Sequence, residues 1–376
     1  MPDIFDGIYG QPRVRSFFRA SVKNNSISHA YLFTGPAGSS KTFAAWAFAQ
    51  AIVCAKSGCN ECKDCRQAKA HKHPDIHFLT PEGARGYLVE QIREVVADSM
   101  LAPVQARKKV YIIDRADLLG VQPANAFLKT LEEPLEDVVF ILLGRTVDAV
   151  LPTVVSRCQL IPFRPIPESE SVGILMQHTG VSQLNARIAL AACDGSLTKA
   201  ISFAKSSERF EFRREVIDVL ESLRVCDDAD VLQYAQDLIE RAKAPLDNVR
   251  QEQKEYLNES AEYLTRSAIR QIELRNKRAL TQATFEALGQ LTSVVRSWLR
   301  DIMMIVAGTQ EYCVNVDRFE QLCQAAEGAD LAQIMRALEQ TRKTDEAIQY
   351  NVSPETCLDS LLFTIRKVLY GSGSAH

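Results

Sequence analysis

The chain has 376 residues, too many for one ordinary core at about 150 residues per domain, so two or three domains are expected. Hydrophobic residues make up 46% and charged residues 24%, the balance of a globular chain, and a net charge of −3 excludes nucleic-acid binding by overall charge, leaving only a local patch. The N-terminus has no basic region followed by an apolar one, and no run reaches the roughly 18 apolar residues of a membrane span, so no leader or membrane anchor is expected and the compartment should be the cytoplasm.

The first legible element is the strand-like run Ala30 to Thr34, which flows into Gly35-Pro36-Ala37-Gly38-Ser39-Ser40-Lys41-Thr42 and then a helix-like stretch, Phe43 to Val53. That order is the context of a phosphate-binding loop. Its backbone N–H groups ring the phosphates, the lysine reaches the β and γ oxygens, and the next hydroxyl ligates Mg²⁺. Lys41 and Thr42 stand in those places, with Gly35, Gly38, Ser39 and Ser40 forming the loop. The full pattern G-x-x-x-x-G-K-[ST] has glycine where this chain has Ser40, which brings a Cβ and a hydroxyl to a place where backbone normally lies close to phosphate. ATP with Mg²⁺ is the expected ligand class, and its occupancy of the altered loop stays open.

Next come Cys54, Cys59, Cys62 and Cys65, a C-x₄-C-x₂-C-x₂-C array with turn-forming Gly58, Asn60, Lys63 and Asp64 between the thiols. Four thiolates with no spare position make a closed, structural zinc site, and catalysis at zinc needs an open one. A redox pair, disulfides or an iron–sulfur cluster compete with this reading, but the chain's other six cysteines are scattered singly, which fits a reducing compartment. His71, His73 and His77 follow closely; the thiols already complete a tetrahedron, so these are expected as solvated or turn residues.

Ile76–Leu79, Lys109–Ile113 and Val138–Leu143 read as further buried strands alternating with helical patterns, which predicts a parallel α/β sheet. The strand from Lys109 ends in Asp114, placed to hold Mg²⁺ through its water shell. Hydrolysing enzymes of this type usually carry next an acid that orients the attacking water. Here it is Arg115, and a guanidinium cannot serve as a base. Asp117 is the nearby substitute and would need an unusual turn to reach the water, so little or no hydrolysis is expected at this chain's own site. Beyond the last of these strands stands Ser156-Arg157-Cys158, where an arginine taken alone reads as a surface ion pair.

The proline cluster from Pro162 to Pro167 ends the strands at about residue 165. Residues 166–207 read as a small helical lid (Glu168–His178, Ser182–Ala192, Leu197–Ala204). Residues 208–369 read as long helices, including Phe210–Leu223, Ala229–Ala242, Asn248–Asn276, Gln282–Val306 and Val316–Ala326. Asn248–Asn276 is very polar, with Tyr256, Leu257, Tyr263, Leu264 and Ile269 at helical spacing, and is expected as a half-exposed helix. A Gly/Ser tail at 370–376 is expected to be disordered.

Several stretches together resemble the clamp-loader family of AAA+ proteins. They are Ile8-Tyr9-Gly10-Gln11-Pro12, Ser28-His29-Ala30-Tyr31-Leu32-Phe33, Asn125 through Leu131-Glu132-Glu133-Pro134, Ser156-Arg157-Cys158, and Asn351-Val352-Ser353-Pro354 followed by Leu358, Leu361 and Leu362. The likeness is densest over residues 8–165 and thin from about 205 to 345. It implies α/β plus all-α architecture: an AAA+ phosphate-loop domain at 1–165 with a zinc module at 54–65, the lid, and a helical collar at 208–369. It also implies that Arg157 is an arginine finger placed against the ATP of a neighbouring subunit, where it stabilises charge developing on the γ-phosphate. Lys199, within Gly195-Ser196-Leu197-Thr198-Lys199-Ala200, stands where an arginine often faces the nucleotide. The implied partners are the other loader subunits (gamma/tau and delta), the sliding clamp, and primer–template DNA gripped by its phosphate backbone. The family's motors carry an intact loop, an acid after the strand Asp and a threonine-bearing sensor; this chain has Ser40, Arg115 and Gly144-Arg145 there. The resemblance is therefore to a non-motor member with weak or absent ATPase, any polymerase activity belonging to the holoenzyme. An active gamma/tau-like motor, or a zinc-dependent interaction protein on a dead nucleotide fold, are the rival readings.

Overall fold

Apolar runs of four to seven residues alternate with helices as far as Pro162. In chain order they are α1 (Pro12–Lys23), β1 (Ala30–Thr34), α2 (Lys41–Val53), α3 (Lys63–Lys69), β2 (Ile76–Leu79), α4 (Val89–Ser99), β3 (Lys109–Ile113), α5 (Val121–Glu132), β4 (Val138–Gly144), α6 (Pro152–Val155) and β5 (Gln159–Pro162). They belong to a unit made of Met1–His178 and Gly195–Lys199; a second unit comprises Thr179–Asp194 and Ala200–His376. The structure is a computed structural model and describes residues 3–83, 86–133, 135–260, 266–350 and 352–371.

The strands form one five-stranded, all-parallel sheet in the order β2-β3-β4-β1-β5, with Leu32 paired to Leu142 on one side and Leu160 on the other. β1, β3 and β4 are buried along their whole length, which explains their unbroken apolar sequences: helices cover both faces. The period of two then sorts the side chains. Tyr31 and Phe33 join Phe18 and Phe48 on one face, while Leu32 joins Tyr111, Phe127 and Phe140 on the other. The rings of Phe18 and Phe48 stack at 4.3 Å. The sheet and the four strands read from the sequence are as expected; β5 is an addition. Only Ile161 of its four residues is buried and it ends in Pro162, as suits an edge strand, so it carries no readable pattern.

The remaining described elements are helical: α7 (Glu168–Thr179), α8 (Gln183–Ala191), α9 (Leu197–Ala204), α10 (Ser207–Ser222), α11 (Asp228–Ser260), α12 (Arg266–Val306), α13 (Phe319–Ala326), α14 (Leu331–Gln349) and α15 (Pro354–Tyr370). Two expected breaks are absent. α11 runs straight through Pro245, and α12 runs through the expected gap at 277–281. An interior proline costs a helix about 3 kcal/mol, but Pro245 is exposed while Ala242 and Leu246 on either side of it are buried, so packing holds the helix across it. Tyr263 and Leu264 lie outside the described residues, as do Pro134, Asn351 and residues 372–376 of the expected tail; Tyr370 closes α15.

The second unit is built around α12, which packs against α10, α11, α13 and α14; its Trp298, Leu299 and Ile302 are buried, as are Val216 and Ile217 of α10 and Leu361, Leu362 and Ile365 of α15. Asp301 is wholly buried yet fully engaged: its carboxylate accepts the N–H of Val314 (2.9 Å) and Asn315 (2.7 Å) and the Asn315 side-chain amide (2.8 Å). Arg213 of α10 donates to Asn315 Oδ1 and to Asp317, so a polar network joins two helices through one turn. No described helix is long and apolar enough to cross a membrane.

Candidate functional site

The phosphate-loop residues lie between the end of β1 and the start of α2 and are gripped from both sides. A Cβ on Gly35 would stand 2.5 Å from the Phe163 carbonyl oxygen, and one on Gly38 2.5 Å from that of Gly195. Both positions therefore require glycine. Ser40 sits in the left-handed region at φ 65°, a conformation that costs a non-glycine residue roughly 1 kcal/mol. It is 8% exposed, and its hydroxyl has no hydrogen-bond partner among the described residues. That buried, unpartnered group points to a polar ligand at the loop.

Lys41 is folded back onto the loop. Its Nζ donates to the carbonyls of Gly35 and Pro36 (2.7 Å for the latter) and to Ser39 Oγ at 3.2 Å. Burial holds its pKa down to about 8, against the pull of Asp114 and with a further push from Arg145, so the site is short of negative charge. Thr42 is exposed on the first turn of α2, and Lys199 is exposed on α9, the helix that begins just after the Gly195 turn touching Gly38.

Asp114 ends β3, and burial raises its pKa although the Arg115 N–H and guanidinium and Lys41 oppose the rise. Arg115 follows at φ 52° and turns its Nε to Asp117 Oδ2 at 3.3 Å. The acid suggested as a substitute is thus engaged by the arginine that replaced the usual one. Arg145, which the sequence flagged only as a missing sensor, accepts the Gly35 N–H on its carbonyl at 3.0 Å and adds a cation near Lys41.

The four thiols of Cys54, Cys59, Cys62 and Cys65 lie within 4.8 Å of one another. Cys54 Sγ is 3.8 Å from Cys59 Sγ and 3.6 Å from Cys62 Sγ. A tetrahedral zinc with Zn–S of about 2.3 Å needs S···S separations of about 3.8 Å, so the donors fit zinc, and all four cysteines are free thiols. N–H groups of Glu61 and Cys62 pull the Cys59 thiol down to about 6, whereas burial pushes Cys65 up to about 12 and raises Cys62. The histidines stay out of the cluster. His71 stacks on Trp46 at 3.9 Å, and His77 on Tyr111 at 4.8 Å. His73 is buried rather than solvated: its Nδ1 accepts the Asp75 N–H, and Nε2 lies 3.4 Å from Asp64 of α3.

Arg157 occupies the opposite end of the sheet. His29 precedes β1 and Cys158 precedes β5, whereas the phosphate loop follows β1; at about 3.3 Å per residue, six residues of strand separate His29 from Gly35 by about 20 Å. Arg157 lines a concavity of about 610 Å³ with His29, Leu131, Glu132, Ser156 and Cys158. Its Nη1 donates to the Thr153 carbonyl (2.7 Å) and Ser156 Oγ (3.1 Å), and its Nη2 to Glu132. Cys158 is made inert by burial, which pushes its thiol up to about 12. The ion pair read for a lone arginine here is present; that its partner is Glu132 had no signal in the sequence, because it depends on how α5 lies beside α6.

The profile of a family described as "DNA polymerase III, delta subunit" matches residues 10–167. Over 216 residues the chain is 32% identical to the DNA polymerase III subunit delta' of Bacillus subtilis (strain 168), spanning 57% of this chain and 65% of that relative. Over 233 residues it is 31% identical to the subunit tau of the same organism, spanning 60% of this chain and 41% of the relative. The chain thus covers less than two thirds of the length of both. Among solved structures it is similar to a DNA polymerase III gamma subunit-related protein of Thermotoga maritima, with a TM-score of 0.46 at 15% identity over 94% of this chain and 99% of the other.

Proposed function

For a chain that belongs to the delta'/gamma/tau family of DNA polymerase III clamp-loader subunits, we propose the role of a delta'-like stator, which assists a neighbour's ATP hydrolysis rather than performing its own. The observation that carries this reading is the turn after β3, where Arg115 stands in place of the water-orienting acid and donates to one carboxylate oxygen of Asp117, the nearest alternative, at 3.3 Å. A site so built has Lys41, Thr42 and Asp114 to hold phosphates and Mg²⁺ but no group aimed to activate water. Bound ATP would supply its phosphates to the loop; this chain's residues would bind and orient them.

Arg157, beside His29 at the other end of β1, a strand length of about 20 Å from the loop, is too remote to serve the same loop and would act on the nucleotide of an adjacent motor subunit. A guanidinium there offsets charge developing on the γ-phosphate, an effect of about 10³-fold or more in rate. In this reading the lid at 166–207 carries Lys199 toward the nucleotide, the collar at 208–369 joins the neighbouring subunits, and the cycle is coupled to opening the sliding clamp and loading it on primer–template DNA. The zinc knuckle is structural, its four thiolates holding the chain between α2 and α3.

The purified chain tests the first half. It is expected to turn over no ATP above the background set by Lys41→Ala; Lys41-dependent turnover by the chain alone would instead select the motor reading.

A further inference from the structure

The side chain offered to a neighbour is tied down within its own chain. Thr153 and Ser156 belong to α6 and its C-terminal end, just before Arg157, but Glu132 reaches across from the end of α5 to take Nη2. Nε is buried with no partner among the described residues. Glu132 is the last residue of its helix, where a negative charge opposes the macrodipole and adds nothing to helix stability. What it does is hold the arginine. The pair sits at the concavity shared with His29, and its side chains are 30% exposed for Arg157 and 48% for Glu132.

We propose that Glu132 is a positioning residue that competes with phosphate for Arg157. It keeps the guanidinium folded against α6 and yields it to the γ-phosphate of a neighbouring subunit, so that it sets the ATP concentration at which the shared site works. This rests on reading Arg157 as acting in trans. The competition has a suitable size. A half-exposed ion pair shifts an equilibrium by roughly two- to fivefold. That is weak enough for a phosphate, which offers more charge and bidentate geometry, to displace it. The exchange moves one anion for another and breaks no covalent bond.

Steady-state ATP turnover by the assembled loader complex provides the test, with this chain as wild type, Glu132→Gln, Glu132→Asp or Arg157→Ala. The expected result is a KM for ATP about two- to fivefold lower in Glu132→Gln, with kcat within about twofold of wild type, and a KM near wild type in Glu132→Asp. An unchanged or raised KM in Glu132→Gln, in a complex whose Arg157→Ala form has lost turnover, overturns the competition and leaves the trans-acting arginine standing. Wild-type turnover by the Arg157→Ala complex removes the arginine's role first. In the isolated chain, slow rotation of the Arg157 guanidinium by ¹⁵N NMR should quicken in Glu132→Gln; fast rotation already in wild type also overturns the proposal.

Discussion

At the scale of single residues, Lys41 shows how far the phosphate loop has departed from its usual balance. Its ammonium donates to loop carbonyls, and burial, with Arg145 adding to it and Asp114 opposing it, brings its pKa from 10.5 to about 8. The folded chain therefore holds this proton less firmly than the unfolded chain does. The charge costs stability below about pH 8, and that cost fades as pH rises from there towards the unfolded value, where stability should increase. An NMR titration of the Lys41 side chain should show a midpoint near pH 8 without ligand and a higher one when inorganic phosphate or ATP fills the loop. A midpoint near 10.5 without ligand would contradict the crowded, carbonyl-bound geometry. Lys41 and Thr42 were legible from the spacing of a loop motif, and Asp114 and Arg115 from their place at the end of an apolar strand. Glu132 was not legible, because its partner lies 25 residues away and their meeting depends on packing.

At the scale of elements, the four-cysteine knuckle is the clearest case of sequence spacing becoming geometry. Four thiols spread over a dozen residues converge because turns at Ser57, Gly58 and Asn60 take positive φ, and Cys62 caps α3 by accepting the Cys65 N–H. The deeper attachment was hidden from the sequence. Asp75 accepts the N–H groups of Gln105 (2.8 Å) and Ala106 (2.7 Å), while Gln105 reaches Asp64 and Gln67 of α3, tying the knuckle to the sheet. Mercurial modification of the thiols should release one zinc per chain and loosen α3 while the sheet persists, read by a zinc-sensitive dye and hydrogen exchange. Absence of zinc, or recovery of disulfides from freshly purified chain, would contradict this reading. The long helices were legible by period but not by length: Pro245 reads as a break, yet the buried residues around it keep α11 continuous.

At the scale of the whole molecule, the parallel sheet places two chemically distinct sites at the opposite ends of its strands, and this separation underlies the functional account. The loop after β1 carries the lysine and hydroxyl expected to bind phosphate, and Arg115 stands where a hydrolysing site would carry an acid; the concavity before β1 and β5 is lined by Arg157 in its pair with Glu132. The parallel sheet with helices between its strands and the arginine triplet were readable in the sequence, whereas α3 was not, since its first residues Lys63 and Asp64 read as turn formers. The fifth strand was not, since one buried residue in four makes no pattern. The proposed stator role requires the arginine and not the lysine. The most direct measurement is ATP turnover by the loader complex assembled with Arg157→Ala or Lys41→Ala chains, with assembly checked by gel filtration. The account predicts that Arg157→Ala removes most of the DNA- and clamp-stimulated rate while Lys41→Ala leaves it near wild type; full activity with Arg157→Ala, or its loss with Lys41→Ala, would contradict it.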